Sequence, residues 1–587
     1  MVKTGGRYGL ALAVVAILVA TAIGVGAQRG AGNARAGTAD EKAVLSARFK
    51  DFKPVTDAML ENPDTADWLN CRRTLDAWGY SPLNQINRSN VHQLQLVWAQ
   101  PLGPGNMQPT PLVHQGILYI PEPYGLVQAL DGLTGDLLWQ YKKNFEVNPD
   151  DIFLSRMRSL AIYGGKIIVT TSDAHIVALN ARTGEVVWDR TVADYKLGYR
   201  YTSGAIVAKG KIIAGMTGCE RYKDDICFIS AHDPQTGREL WRTSTIARPG
   251  EPGGETWGDL PLNRRAGGDA WIAGSYDPKL NLVYWSTAQP KPWARVSRGT
   301  AGDALYTNCT LALDPDTGKM VWYYQFTPGE THDIDDAFEN VLIDHDGRSS
   351  LFKMGKLGIL WELDRKTGKY VSAHDLGYQT LVELDPTTGK VHYQADMIPK
   401  LKVPLKYCPT SIGVRNWRAT AYHPETQALY IPVHPSCTET VFGEVATENI
   451  GNFYYYRDPK YTGSRTLGGF PHPASPQYRG HLIAMNIKTG QILWRHSMRS
   501  SAGAAALTTA GGLVVTADSE GYVFIDDVAT GKVLFQTRLA TPVQGFPVTY
   551  AIGGTQYLAV PAANRGTLDG AALYVFALPA AGRGPVR

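Results

Sequence analysis

A short phrase returns many times along the chain. ALDGLTGDLLW at residues 129–139 has close copies that begin at residues 178, 231, 312 and 484, and weaker copies begin at 361, 382 and 524. Each copy sets an Asp or Asn and a Thr-Gly pair between two apolar runs, which is typical of a hairpin whose glycine takes a positive φ. One copy would predict one hairpin, but a return about every fifty residues predicts a radial array or solenoid of similar units.

The runs that precede the phrase have the character of further strands. Stretches such as YGGKIIVTT at 163–171 and AGGLVVTAD at 510–518 are expected to be the inner strands of a blade whose outer hairpin carries the phrase. The tryptophan that ends the phrase is expected to pack between adjacent blades, as part of the architecture. The predicted fold is therefore all-β, an eight-bladed β-propeller with four-stranded blades, formed by residues 46–580.

Composition supports a large globular β protein. The chain has 587 residues, 44% of them hydrophobic, with 61 Gly and 35 Pro to supply turns. A formal net charge of +4 is too small over this length to predict nucleic-acid binding.

The amino terminus resembles an export signal. Lys3 and Arg7 precede an apolar run at 10–25, and the small residues at 25–27 suit cleavage, so residues 1–27 are predicted to be a signal peptide. Residues 28–45 would then be a flexible lead-in and 581–587 a tail. An uncleaved membrane anchor is the alternative, but the polar linker favours cleavage. We expect an exported, soluble periplasmic protein without stable membrane insertion.

The six cysteines fit an oxidising compartment. Cys219 and Cys227 have the spacing of a stapled hairpin, and Cys408 and Cys437 can close a longer loop. Cys71 and Cys309 remain, either paired with each other or free. The chain has no Cys-x-x-Cys-His motif, so no covalent c-type haem is expected.

Two acidic features interrupt the repeat. Glu220, in GMTGCE, follows an inner-strand run and is expected to point to the central channel, either as a metal ligand or as a solvated hairpin charge. Asp333, Asp335 and Asp336 crowd together in THDIDD, where a hard cation would relieve their repulsion; the alternative is an acidic surface loop.

Two further features suit a flat anionic ligand. Trp271 falls outside the tryptophan phase of the repeats and could lie under a planar ring. Arg158 and Lys356 stand near inner strands and could meet carboxylates, although surface exposure is the simpler interpretation of each.

Together these features resemble the soluble quinoprotein alcohol dehydrogenases, the methanol/ethanol dehydrogenase family that uses pyrroloquinoline quinone (PQQ). The likeness extends from about Asp67 to Phe576. It is carried by GMTGCE at 215–220, THDID at 331–335, CPTSIGVRNW at 408–417 and GFPVTYAIGGTQYLAV at 545–560.

The resemblance implies a cofactor site. Trp271 would be the floor under PQQ, and Lys356 would stabilise charge on the quinone oxygens. The residues that the resemblance places around the cofactor are Gln108, Arg158, Thr202, Thr217, Gly218, Cys219, Asp269, Trp271, Lys356, Asn416 and Trp417.

The resemblance also implies one metal ion, calcium or a lanthanide, bound by Glu220, Gln289, Asp333 and Asp335. Asp333 would be the general base. An acidic residue at 335 resembles the lanthanide-using branch, and an extra carboxylate suits a trivalent ion, so a lanthanide is the hypothesis there.

Three departures from the family bear on the substrate. Gln289 replaces an asparagine ligand, Gln108 replaces a glutamate, and the adjacent cysteine pair that caps PQQ is missing. The Cys219–Cys227 hairpin is a candidate for that cover. These changes in the residues around the cofactor and the metal suggest a bulkier or secondary alcohol as substrate.

Because no haem motif is present, electrons are expected to pass to an external c-type cytochrome or another acceptor. Whether two copies form a homodimer is left open. Two rival functions share parts of the pattern: a non-catalytic propeller scaffold built of PQQ-like repeats, and a glycosidase-type propeller with paired carboxylates. The convergence of acids, Lys356 and Trp271 favours the dehydrogenase.

Overall fold

The computed structural model describes residues 47–105, 107–146, 156–220, 222–444, 464–563 and 570–579. The predicted signal peptide, lead-in and tail lie outside these residues. Helices are few and short: the α-helices whose full extent lies within the described ranges are α1 (Asp57–Glu61) and α2 (Arg295–Arg298). No helix in that part of the chain has the length and apolar character needed to span a membrane.

The strands, in chain order, are β1 (Tyr80–Ser81), β2 (Gln95–Pro101), β3 (Leu112–His114), β4 (Ile117–Glu122), β5 (Leu126–Asp131), β6 (Leu137–Lys142), β7 (Ala161–Tyr163), β8 (Lys166–Thr170), β9 (His175–Asn180), β10 (Val186–Thr191), β11 (Ile206–Ala208), β12 (Lys211–Gly215), β13 (Phe228–His232), β14 (Glu239–Ser244), β15 (Ala266–Gly267), β16 (Ser275–Asp277), β17 (Leu282–Ser286), β18 (Pro290–Lys291), β19 (Cys309–Leu313), β20 (Met320–Gln325), β21 (Val341–His345), β22 (Arg348–Met354), β23 (Ile359–Asp364), β24 (Tyr370–Asp375), β25 (Val382–Leu384), β26 (Val391–Tyr393), β27 (Pro404–Tyr407), β28 (Ala421–His423), β29 (Ala428–Val433), β30 (Ser436–Phe442), β31 (Ser464–Pro471), β32 (Gly480–Asn486), β33 (Ile492–Met498), β34 (Leu507–Thr509), β35 (Leu513–Ala517), β36 (Tyr522–Asp527), β37 (Val533–Arg538), β38 (Val548–Ile552), β39 (Thr555–Ala562) and β40 (Ala572–Ala577).

These strands form a β-propeller. Within the described residues eight sheets have four or five strands: β3–β6, β7–β10, β11–β14, β16-β17-β19-β20, β21–β24, β28-β29-β32-β33, β1 with β34–β37, and β2 with β38–β40. This number is consistent with the eight blades predicted. The last sheet joins the two ends of the chain, because β2 pairs antiparallel with β40. Pairing early and late strands in one blade closes the ring, and each blade of such an array leaves only short, protected sheet edges.

Burial explains why the inner and the outer strands of a blade differ in sequence. The inner strand β8 is buried at all five positions, whereas the outer strand β10 is exposed at most of its residues. Inner strands are covered on both faces by neighbouring blades, so they are continuous apolar runs; outer strands meet solvent.

The repeated phrase connects one blade to the next, as predicted. The Trp241 indole donates to the Pro315 carbonyl, 2.9 Å away in the turn of the following blade. In that turn Gly318 has φ +72, and a β-carbon there would lie 2.5 Å from the Trp241 ring. The turn glycine is therefore required both for its positive φ and for the tryptophan that packs on it.

The weaker copy at 382–392 differs from the others. It forms β25 and β26, a separate two-stranded hairpin outside the eight larger sheets. The copy from residue 524 does build a blade, as β36 and β37.

Both predicted disulfides form, Cys219–Cys227 with Cα atoms 5.4 Å apart and Cys408–Cys437. Cys71 and Cys309 are free thiols.

Candidate functional site: an acid–lysine cluster beside an indole

Glu220 follows β12 and lies at a disulfide-braced corner. The Arg200 guanidinium is 3.3 Å from its Oε2, and only 18% of its side chain is exposed. The neighbouring Cys219 is bonded to Cys227, and its backbone N–H donates to Asp269 Oδ1 over 3.0 Å. The corner is therefore held on both sides, and Glu220 is not the solvated hairpin charge considered as its alternative.

Asp333 lies in a loop after β20 whose acidic residues face inward. Asp335 and Asp336 are buried, so the loop is not an acidic surface loop. The Gln289 side-chain amide donates to Asp333 Oδ1. Lys356 Nζ donates to the Asp333 carbonyl over 2.8 Å and lies 3.6 Å from its Oδ2.

Residues distant in sequence meet at this point. Lys291 Nζ is 3.5 Å from Asp333 Oδ1 and 4.0 Å from Glu220 Oε1, so both acids face one ammonium group. Asp335 completes the cluster: its Oδ2 is 2.8 Å from Lys356 Nζ. Its Oδ1 accepts from the Gln289 backbone N–H over 3.3 Å.

The residues around Trp271 form the second half of the site, beside the acid–lysine cluster. The Arg158 guanidinium lies 4.9 Å from the centre of the Trp271 ring, and Phe338 meets the ring edge-on at 5.2 Å. Arg158 is buried rather than exposed, and it donates to Gln108 Oε1 and to the Thr202 carbonyl, each over 2.8 Å. The sequence-predicted residues Gln108, Arg158, Thr202 and Trp271 are thus brought together.

Trp417 belongs to the same apolar cluster as Trp271, Phe546 and Cys71. Residues 272–274, which follow Trp271 in the chain, line a cavity with Cys71, Arg158 and Trp417.

The two halves share one loop. Asp269 precedes Trp271 by two residues, and its carbonyl accepts from the Ala288 N–H, next to Gln289, over 2.9 Å. This contact fixes the indole relative to the acids.

Two predicted cofactor residues, Thr217 and Asn416, have their polar groups engaged within the protein, and a third, Gly218, is sterically restricted. The Thr217 hydroxyl donates to the Arg200 carbonyl over 2.7 Å. Asn416 donates to the Ile412 carbonyl and accepts from the Trp417 N–H. Gly218 has φ +81 and approaches the Gly198 carbonyl so closely that no side chain would fit.

Burial dominates the electrostatics of the cluster. It raises the pKa of Asp333 to about 6, although Lys356 and Lys291 pull that pKa down. It also raises the pKa of Asp269 to about 6, with Glu220 adding to the rise. Burial alone would lower the pKa of Lys356, but Asp333 and Asp335 outweigh it and hold the pKa above its usual value. The acids and lysines therefore stabilise each other's charged forms.

The donor set fits a hard cation and an anionic planar cofactor. Within the described residues, Gln289 Oε1 and Asp269 Oδ2 are buried without a hydrogen-bond partner. Such oxygens, next to Glu220 and Asp333, are ligands that a hard cation prefers. Arg158 and Lys356 can meet carboxylates, and Trp271 offers a flat ring.

Two residues of the site were not identified from the sequence: Arg200 and Lys291. Both signals were present, because Lys291 stands two residues from Gln289 in QPKPW, and Arg200 precedes Thr202 in YRYT. A lysine or arginine beside predicted ligands is common on surfaces, so only the fold shows that these two turn inward.

Comparisons with known proteins show what the chain is similar to. The PQQ family model, described as "Glucose/ethanol/alcohol dehydrogenase, beta-propeller domain", matches residues 68–374 and 382–558. Quinohemoprotein alcohol dehydrogenase ADH IIB of Pseudomonas putida is 32% identical over 517 residues, which cover 84% of this chain and 73% of that protein.

Two solved structures are also similar. Quinohemoprotein alcohol dehydrogenase from Comamonas testosteroni superposes with a TM-score of 0.81 at 25% identity, covering 93% of this chain and 85% of that one. A europium-containing methanol dehydrogenase gives a TM-score of 0.80 at 26% identity, covering 89% and 100%.

Proposed function

The chain belongs to the PQQ-dependent alcohol dehydrogenases, and on that premise we propose that it oxidises an alcohol with Asp333 as the general base. Membership in an enzyme family sets aside the scaffold and the glycosidase considered as rivals. The observation that carries the proposal is the meeting of Glu220 and Asp333 at one ammonium group.

The proposed reaction removes a hydride and a proton from the alcohol. PQQ, held by the residues around Trp271, would supply the acceptor for the hydride that leaves the alcohol carbon, and a bound metal ion would supply Lewis acidity. Asp333 takes the hydroxyl proton as the C–H bond breaks and the C=O bond forms. The product is an aldehyde or a ketone.

The other residues position and charge the site. Glu220, Gln289, Asp333 and Asp335 would hold one metal ion, calcium or a lanthanide. Lys356 would stabilise negative charge beside Asp333. The cofactor would lie against Trp271, with Gln108, Arg158, Thr202, Thr217, Gly218, Cys219, Asp269, Asn416 and Trp417 around it.

The wider setting follows from the same reasoning. We infer an exported periplasmic enzyme, cleaved after Ala27, that passes electrons to an external c-type cytochrome. Gln108 and Gln289, which replace family residues, support a bulkier or secondary alcohol as substrate. The mass of the exported protein tests the cleavage.

An alcohol panel tests the function. The purified chain is supplied with PQQ and either Ca²⁺ or La³⁺, and oxidation of primary, secondary and cyclic alcohols is followed with an artificial electron acceptor. We expect turnover only when PQQ and a metal are both present. Absence of turnover with every alcohol and both metals, in protein that binds PQQ, would refute the assignment.

A further inference from the structure

Lys291 lies inside the proposed metal centre. Its side chain is 3% exposed, and its Nζ faces Glu220 and Asp333 at 4.0 and 3.5 Å. Ca²⁺ binds oxygens at about 2.3–2.6 Å. An ion held by these two acids would therefore lie within a few ångströms of the ammonium group.

The position of Lys291 is built into the fold. Lys291 is in β18, which pairs with β15 so that Lys291 is opposite Ala266. Its ammonium also lies 5.0 Å from the centre of the Trp293 ring. The backbone pairing holds the segment that carries this ammonium in place, and Lys356 is a second cation in contact with Asp333 and Asp335.

Charge in the cluster is nearly balanced because of this lysine. Ion pairs join three carboxylates, those of Glu220, Asp333 and Asp335, to three cationic groups, those of Arg200, Lys291 and Lys356. Asp335 adds negative charge, which favours a more highly charged ion. Lys291 adds a positive charge in the same cluster and cancels that advantage.

We propose that Lys291 sets the charge selectivity of the metal centre, so that the centre favours a divalent ion over a trivalent one in spite of Asp335. Coulomb repulsion scales with the product of the charges, so at one position the ammonium repels a trivalent ion half as much again as a divalent ion. The low dielectric of a buried site increases this difference in electrostatic repulsion. The inference rests on the proposed function for the location of the ion.

The test compares binding of two ions to the metal-free protein supplied with PQQ. Dissociation constants for Ca²⁺ and La³⁺ are measured by calorimetry in the wild type, in Lys291→Met, which removes the charge, and in Lys291→Arg, which keeps it. We expect Lys291→Met to strengthen La³⁺ binding relative to Ca²⁺ binding by at least tenfold. Lys291→Arg should stay within threefold of the wild-type ratio.

A merely structural role would change melting temperature and shift both ions equally. The proposal would be overturned if the ratio of the Ca²⁺ and La³⁺ dissociation constants in Lys291→Met stayed within threefold of the wild-type ratio. It would also be overturned if Lys291→Met bound Ca²⁺ more strongly relative to La³⁺ than the wild type does. Should Lys291→Met not fold, Lys291→Gln gives the same comparison with a polar head group. Binding is measured without turnover, so failure of the alcohol panel and failure of this inference are separate results.

Discussion

Replacement of Asp333 by Asn should remove the proposed base and leave the fold intact. Asp333 has φ +66, in the left-handed region that Asn tolerates better than most residues. Its carbonyl still accepts from Lys356 Nζ, and the amide keeps one oxygen for the cation. The buried lysines also keep partners, because Lys356 retains Asp335 at 2.8 Å and Lys291 retains Glu220 at 4.0 Å.

The expected loss is kinetic. A positioned general base contributes roughly 10²–10⁴-fold to rate, which corresponds to about 3–5 kcal/mol of barrier. We therefore expect kcat of Asp333→Asn to fall by that factor while PQQ content and melting temperature change little. The assay is steady-state oxidation of the best alcohol with an artificial acceptor, normalised to bound PQQ measured by absorbance.

Asp336→Asn is the matched control, since Asp336 is buried in the same loop and accepts from the Thr327 hydroxyl over 3.0 Å. It should keep kcat within threefold of the wild type. The reasoning fails if Asp333→Asn retains more than a tenth of wild-type kcat, or if Asp336→Asn loses as much.

Three further outcomes are expected. Trp271→Ala should weaken PQQ binding by about 2 kcal/mol, roughly 30-fold by equilibrium titration, while Trp271→Phe keeps most of the affinity; equal losses would contradict a stacking floor. Gly318→Ala should lower stability to urea by more than the roughly 1–2 kcal/mol of left-handed strain, because its β-carbon meets Trp241. Gly347→Ala, at φ +74 with open space, should cost the strain alone, and equal costs would refute the interblade contact. Burial raises the pKa of Glu122 from 4.5 to about 7, so the folded chain holds this proton more tightly than the unfolded chain and stability falls as pH rises through that window. Between pH 4.5 and 7 this fall in the free energy of unfolding is about 3 kcal/mol, and Glu122→Gln should abolish it. The stability of the variant relative to the wild type should therefore increase over this pH range; a difference independent of pH would refute the reasoning.

The repeats made the architecture predictable. The turn requires glycine and Asp or Asn at fixed positions, and a large flat ring requires a surface to pack against. Gly318 and Trp241 therefore predict the contact between two blades from the sequence alone. The same local signal misleads where its surroundings differ. The copy at 382–392 has the turn chemistry but forms only a two-stranded hairpin, because turn residues specify a hairpin and not the sheet it joins.

The candidate site was predictable in part. Glu220, Asp333 and Trp271 stand out because each interrupts a repeat, and their residue types imply a cation and a flat cofactor. Lys291 and Arg200 were not found, since a basic side chain in a loop is usually solvated.

The sequence by itself therefore determined the blade, its turns and the kinds of side chain available for chemistry, because these depend on neighbours within a few residues. Only the tertiary structure decided which charges share one buried space. Glu220, Lys291 and Asp333 come from separate segments, and the tertiary fold brings both carboxylates to within about 4 Å of the Lys291 ammonium. At that distance, away from water, each charged side chain influences the ionisation of the others. The separation of these residues in the sequence carries no information about such contacts.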